Sequence, residues 1–402
     1  MSFLAPERSF HKWLANPPIL NGLWQETKCC LGLSCFIQCQ REEKGGVMER
    51  VSRTVSEIGS EHLDKTSPNL NWVCPRCRAV LVKAPESYLC EACAGNYPIV
   101  AEMPDFRIDQ PAWIDFGRDR DRACAIDEIV RREGLEAAIF DVFKTSRRFA
   151  EAKCRFRTRQ VQAGADKYTL QLGGWLADIQ AEPVFEVGIG PGQLAVALAR
   201  RGYVPHGIDV SMEWLAVAKH WVREQGVEPV FAGAMAEGLP LPDASVRSYV
   251  SLDVIEHVGD QGRYLAEMAR ILKPGGHFAL VTPNRYSLSP EPHVGVWGVG
   301  YLPRSLQGRW VQMRAGVSYD FNRLLGVREL RQLFRDNGAL VPQIDFPAIA
   351  EAEILLFPPG KARFARLYNR IARTSLFRLL APLGGAYYRV TGRKPDELAA
   401  AE

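Results

Sequence analysis

The chain has 402 residues, 47% of them hydrophobic, and a formal net charge of +4. Such a length fits two or three domains with full cores, and so modest a charge neither demands nor excludes nucleic acid. No apolar run reaches the roughly 18 to 20 residues that span a membrane, and cysteines with metal-ligand spacing fit a reducing cytoplasm better than a secreted, disulfide-rich chain.

Residues 1–70 read as a poorly ordered leader. The stretch "GLWQETKCCLGLSCFIQCQREEKGG" crowds Cys29, Cys30, Cys35 and Cys39 together without paired CxxC spacing, so it carries no clear metal site. "CCLGLSCFI" is too short and too late for a signal peptide. Met48 is an alternative start of the chain.

Residues 71–107 are sharper. Cys74 and Cys77, then Cys90 and Cys93, form two CxxC pairs twelve residues apart. Each pair presents two thiolates to one metal, and two such knuckles close a tetrahedral site. Four thiolates leave no open position, so the expected zinc is structural. "AVLV" and "SYLC" read as strands of the hairpin between the knuckles. The stretch resembles the small zinc-ribbon domain that accompanies or activates tRNA and release-factor methyltransferases. It departs from that pattern where "AEM" (101–103) replaces a Gly-containing turn.

Residues 108–180 place apolar residues at helical steps and read as a lid or spacer. Next comes "VFEVGIGPGQLA" (184–195). A β-branched run ends at Gly188, Gly190 and Gly192, and "QLAVALARRG" follows with helical spacing. Strand, glycine turn and helix form the unit that binds adenosine-containing cofactors, because glycine lets backbone approach a ligand closely. A second strand, "VPHGIDVS", ends in Asp209, where an acid can accept both hydrogen bonds of a ribose diol. "VEPVFAG", "SVRSYVSLDVIEHV" and "HFALVTPNR" read as further strands, the last reached through a turn at "KPGG".

The pieces "EVGIGPGQL", "GIDVS", "AEGLPLPDAS", "LDVIEHV" and "LKPGGHFALVTPN", in this order, resemble the class I S-adenosylmethionine (SAM) methyltransferases. The group nearest in pattern includes the ubiquinone and menaquinone biosynthesis enzymes. A nicotinamide-dependent oxidoreductase would not account for "LKPGG" and "IEHV" in sequence. The resemblance implies an α/β fold with a Rossmann-like seven-stranded sheet over 181–350, preceded by the four-cysteine zinc ribbon and followed by a helix and last strand in 351–402. It implies Glu186 near the methionine end of SAM, Gly188, Gly190 and Gly192 lining it, and Asp209 on the ribose. Met235 and Ala236 would face the adenine, Met235 standing where an acid is frequent. Ser211 would cap the next helix. Asp253 would stand among the cofactor contacts at the strand edge that faces SAM.

An oxygen or nitrogen acceptor needs a base. Asp253, Glu256, His257 and His293 are the candidates. The acid-x-x-Glu-His pattern also resembles the divalent-cation site of ubiquinone-pathway O-methyltransferases and of plant-type small-RNA 2′-O-methyltransferases. The alternative is a helix-start pair without metal. His206 and His220 read as structural, and His277 as an exposed residue at a strand start.

The insertion 282–313 is read as a long loop in which Tyr286, Trp297, Tyr301 and Trp310 either wall an apolar acceptor pocket or simply pack the loop. The tail "KARFARLYNRIARTSLFRLL" (361–380) reads as a basic amphipathic helix, packed on the domain or in peripheral contact with a membrane. The acceptor is accordingly read as a small-molecule or lipid-like metabolite, methylated on O, N or C. RNA held by the ribbon, as in the rRNA guanine-N1 methyltransferases, is the alternative. A SAM-binding subunit that activates a partner is the third.

Overall fold

The computed structural model describes residues 70–179, 183–320, 322–337, 340–349, 351–355, 359–372, 374 and 384–396. The leader cysteines, Met48 and the end of the 361–380 tail fall outside them.

The first described unit is a ribbon of four antiparallel strands in sequential order: β1 Val82–Lys83, β2 Ser87–Cys90, β3 Gly95–Val100 and β4 Met103–Pro104. Most of "AVLV" stays outside the ladder; Val80 bridges to Val73 instead. Ala101 and Glu102 form the two-residue turn from β3 to β4, with φ of 48° and 65°. Left-handed turns of this kind favour Asn-Gly. Here the strain is offset by contacts: Lys219 Nζ donates to Ala101 O at 2.8 Å and to Glu102 at 3.1 Å, and Arg223 donates to Glu102 at 2.8 Å. The "AEM" departure is therefore a docking point for the ribbon.

Helices α1 Phe116–Glu133, α2 Leu135–Asp141, α3 Glu151–Ala163, α4 Ala165–Leu172 and α5 Trp175–Asp178 follow, with a π-turn at Val142–Ser146. Their apolar stripe, including Ile126, Ala138 and Ile139, packs on the next domain in one core with Val196, Leu215 and Trp221.

The large sheet contains β5 Val184–Val187, β6 Pro205–Asp209, β7 Val230–Gly233, β8 Val246–Leu252, β9 Leu272–Pro283, β10 Val341–Asp345 and β11 Tyr387–Arg393. Its order is β10-β11-β9-β8-β5-β6-β7. From β9 to β7 the neighbours are parallel, whereas β11 runs antiparallel to both β9 and β10. Central β5 is buried at every position, as a parallel strand covered on both faces must be. Helices α6 Gln193–Ala199, α7 Met212–Arg223, α8 Gln261–Ile271, α9 Arg304–Ala315, α10 Val327–Asp336, α11 Glu351–Ile354 and α12 Pro359–Ala372 complete the domain. Strand order reverses at β5, between β8 and β6. Ligands of such sheets bind in the crevice beyond the carboxyl ends at this point.

Three local readings differ from the structure. The "KPGG" turn is inside β9, which starts at Leu272; Gly275, at φ 70°, sits near a register shift opposite Val246 and Ser248. His277 is consequently a half-buried mid-strand residue paired with Arg393. The insertion is not all loop: its later part becomes α9, because "RSLQGRWVQMRA" is rich in helix formers and ends at the left-handed Gly316.

The ribbon shares its core with the sheet. Trp72, Tyr97 and Phe106 belong to one apolar cluster with Phe185, Ile208 and Ala232. Asp105 pairs in parallel with Gly233 at the end of edge strand β7, and the Phe106 amide donates to Gly233 O at 2.7 Å. Arg78 reaches Glu267 on α8 at 2.9 Å. An otherwise open strand end is thereby covered.

Candidate functional site

The glycine turn after β5 shapes the floor of the crevice. Gly188 has φ 86°, and a Cβ there would stand 2.2 Å from Val254 Cγ2. Gly192 has φ 88°, and its Cβ would stand 2.7 Å from that of Ala218. No larger residue fits either place. A cavity of about 700 Å³ opens above, lined by Glu186, Gly188, Gly190, Asp209, Met235, Ala236, Asp253, His257 and His293. The fold thus brings these residues, spread over more than a hundred positions of sequence, to one space. Gly192 and Glu256 are not among its lining residues.

Two acids stand in its lining. Glu186 is 2% exposed, and its Oε2 is buried without a hydrogen-bond partner. Burial first, and then the charge of Asp209, raise its pKa well above the ordinary carboxylate range. Asp209 accepts from the Gly190 amide at 2.7 Å and the Ser211 amide at 2.8 Å; burial outweighs those bonds and raises its pKa too. A deeply buried carboxyl with an open acceptor fits a cationic or hydroxyl-bearing ligand group.

Two imidazoles stand in the same lining. His257 and His293 stand edge to face, their ring centres 4.6 Å apart. Glu291 Oε1 lies 2.6 Å from His293 Nδ1, while Glu291 Oε2 accepts from the amides of His293 and Val294 at 2.8 Å each. Burial acts to lower the His293 pKa, but Glu291, Glu256 and Asp253 outweigh it and raise it. His257 is open on its cavity side and enclosed by protein elsewhere; that enclosure, with the neighbouring His293, lowers its pKa. It is therefore neutral at neutral pH. Glu256 is 1% exposed and accepts from Thr282 Oγ1 at 3.0 Å. Burial, then the Asp253 charge, push its pKa up to about 8. Glu256, His257 and His293 each offer a donor atom within 4.8 Å of the others. Asp253 stays outside that group, at a left-handed φ of 54°.

Sequence reasoning missed several lining residues. Trp113, Phe143, Tyr168 and Trp214 supply the aromatic walls, with Arg147, Ser318 and Asn322 among the polar ones. The four aromatics of the insertion are elsewhere. Tyr301 stacks on Trp297 and meets Tyr286 in a tilted pair, Trp310 donates to Trp297 O at 3.2 Å, and none of the four lines the cavity. Trp297 is 61% exposed. Glu291 had a signal, the polar residue two before His293 in a Pro-bounded turn. Arg147 ends the π-turn, a feature frequent at functional sites.

The four ribbon cysteines are free thiols whose sulfurs all lie within 4.8 Å of one another. Cys74 and Cys93 are 3.5 Å apart and Cys77 and Cys90 3.4 Å. Disulfide sulfurs would be about 2.05 Å apart; tetrahedral ligands at about 2.3 Å from a zinc ion stand about 3.8 Å apart. The donor set fits a zinc ribbon.

Comparison with known proteins matches residues 185–280 to a family described as a methyltransferase domain. A ubiquinone biosynthesis O-methyltransferase of Pseudomonas paraeruginosa is 31% identical over 173 residues, 42% of this chain and 68% of that protein. One from Paramagnetospirillum magneticum is 28% identical over 225 residues, 54% of this chain and 83% of that protein. A probable S-adenosylmethionine-dependent methyltransferase of Mycobacterium tuberculosis is 42% identical over 113 residues, 27% of this chain and 39% of that protein. Among the described residues no helix is long and apolar enough to cross a membrane.

Proposed function

The chain belongs to the S-adenosylmethionine-dependent methyltransferases, and on that premise we propose that it methylates a hydroxyl of a small, largely apolar or lipid-like acceptor. The observation that carries this reading is the shared cavity: Glu186, Asp209, a neutral His257 and four aromatic side chains line one space. The names of the O-methyltransferase relatives support the choice of oxygen.

SAM supplies a methyl group already activated on a sulfonium. The protein must hold the donor, aim the acceptor and exclude water. Glu186 takes the ammonium, with Arg147 placed for the carboxylate. Asp209 takes the ribose hydroxyls, and Met235 and Ala236 lie against the adenine. Trp113, Phe143, Tyr168 and Trp214 desolvate the acceptor. His257 would accept the proton of the acceptor hydroxyl as the oxygen takes the methyl group from sulfur and S-adenosylhomocysteine leaves as a neutral thioether, and Glu291 fixes His293 beside it. The ribbon cysteines Cys74, Cys77, Cys90 and Cys93 hold a structural zinc ion, and a reducing cytoplasm is the compartment that suits them.

A second reading rests on the Glu256, His257 and His293 cluster, whose donors stand close enough for one divalent cation. RNA gains no support from the relatives' names. A lipid-like acceptor agrees with α12, where Phe364, Leu367 and Ile371 are exposed on a helix that also carries Arg363, Arg366 and Arg370.

Methyl-labelled SAM offered with a panel of phenols and quinols, and separately with total RNA, tests the reading. Label in the small phenols, lost in His257→Ala and indifferent to chelator, is the expected result. Label in RNA alone contradicts it, and loss with EDTA while zinc stays in the ribbon selects the cation.

A further inference from the structure

Helix α7 starts at Met212, three positions after Asp209, and its first amides have no intrahelical partner. Ser211 occupies the N-cap position but makes no side-chain cap. The cap comes from α1. Asp119 Oδ2 accepts from the Met212 amide at 2.7 Å, and Asp119 Oδ1 from the Ser211 hydroxyl at 3.3 Å. The same Oδ2 takes Arg107 Nη1 at 2.6 Å, and that nitrogen also donates to Val210 O at 2.7 Å. Arg107 forks onto Asp105 with Nε and Nη2 at 2.7 Å each. The side chains of Asp105 and Arg107 are fully buried and that of Asp119 is 8% exposed.

We propose that Asp119, locked by Arg107, is a positioning residue that holds the 209–212 turn so that Asp209 faces the cofactor ribose. The inference rests on the ribose reading of Asp209. Four consecutive residues are held from outside their own segment: Ala234 N donates to Asp209 O at 3.0 Å, Arg107 holds Val210 O, and Asp119 holds Ser211 and Met212. A turn held at every residue keeps both Asp209 oxygens placed without cofactor present. Arg107 in turn extends from Phe106, whose ring packs 5.6 Å from Tyr97, and the Tyr97 hydroxyl lies 3.1 Å from Cys74 Sγ. One continuous path of buried contacts thus joins the cysteine cluster to the ribose turn.

The test is calorimetry of the full, metal-loaded chain with S-adenosylhomocysteine and with its 2′-deoxy analogue. The wild-type chain is expected to prefer the parent ligand by about tenfold, the effect of one charge-assisted hydrogen bond. In Asp119→Ala, affinity for the parent falls by about tenfold, the effect of a lost cap, and the preference shrinks toward one. A general loss of fold lowers both ligands equally and leaves the ratio intact, so the ratio distinguishes positioning from stability. Should Asp119→Ala not fold, Asp119→Asn keeps an acceptor for Met212 without the charge opposite Arg107, and an intermediate ratio is expected. Equal affinity for the two ligands in the wild-type chain removes the ribose reading and the proposal with it. Wild-type affinity and ratio in the folded variant overturn the proposal alone.

Discussion

Glu291 holds the backbone and the ring of His293 at once: Oε2 takes two amides at 2.8 Å and Oε1 meets Nδ1 at 2.6 Å. A carboxylate used in this way sets the orientation of an imidazole. Glu291→Gln keeps acceptor oxygen but removes the charge. It should lower methyl transfer at saturating SAM by up to about a hundredfold, the lower end of what a positioned base contributes. Cofactor affinity should not change. Full turnover in this variant would remove His293 from the account.

Glu186 makes cofactor binding depend on pH. Burial and the Asp209 charge raise its pKa in the free protein, so its carboxyl keeps a proton to higher pH than an ordinary carboxylate does. An ammonium group beside it favours the carboxylate. Binding therefore releases a proton, and affinity rises with pH up to the raised pKa of the free protein. Calorimetry in buffers of different ionisation enthalpy should show release of up to about one proton. Glu186→Gln should abolish the release and weaken binding. Proton uptake on binding would place the ammonium elsewhere.

The cysteine cluster should carry one metal per chain, because four thiolates close a tetrahedral site. The ribbon's own aromatic core is little more than Trp72, Tyr88, Tyr97 and Phe106. Metal removal, or Cys77→Ser, should lower the Tm by roughly 10 °C, since metal binding and folding are coupled in so small a unit. Metal analysis and thermal melts on one sample check this. A metal-free preparation with an unchanged melt would contradict it.

Helix α12 should draw the protein to anionic vesicles. Reversing Arg363 and Arg370 to glutamate should weaken vesicle binding by at least roughly tenfold, at about 1 kcal/mol per basic residue near such a surface. Equal sedimentation of variant and parent with anionic and neutral vesicles would exclude a membrane role for this helix.

The legible parts of this protein were those encoded in local spacing. Glycines at alternate positions after a β-branched run, an acid at the end of the next strand and two CxxC pairs all declare themselves within a few residues. The parts that depend on distant packing did not. Asp119 caps a helix 93 positions away, and no local pattern marks an aspartate in a charged helix for that task. Trp113, Phe143 and Tyr168 reach the cavity from segments that read only as helical or polar. The insertion misled because aromatic richness is the same in a pocket wall and in a surface cluster; burial alone separates them, and Trp297 is largely exposed. Strand β10 alternates exposed and half-buried residues at the sheet edge, so it lacks the apolar run that betrayed β5.

The central claim is that one cavity, with Asp209 in its lining, binds SAM. Calorimetric titration of SAM into the wild-type chain and into Asp209→Ala tests it most directly. The account predicts one-to-one binding, weakened at least about tenfold in the variant by loss of its charge-assisted hydrogen bonds. A folded wild-type chain that takes up no SAM, or a variant that binds as its parent does, would contradict it.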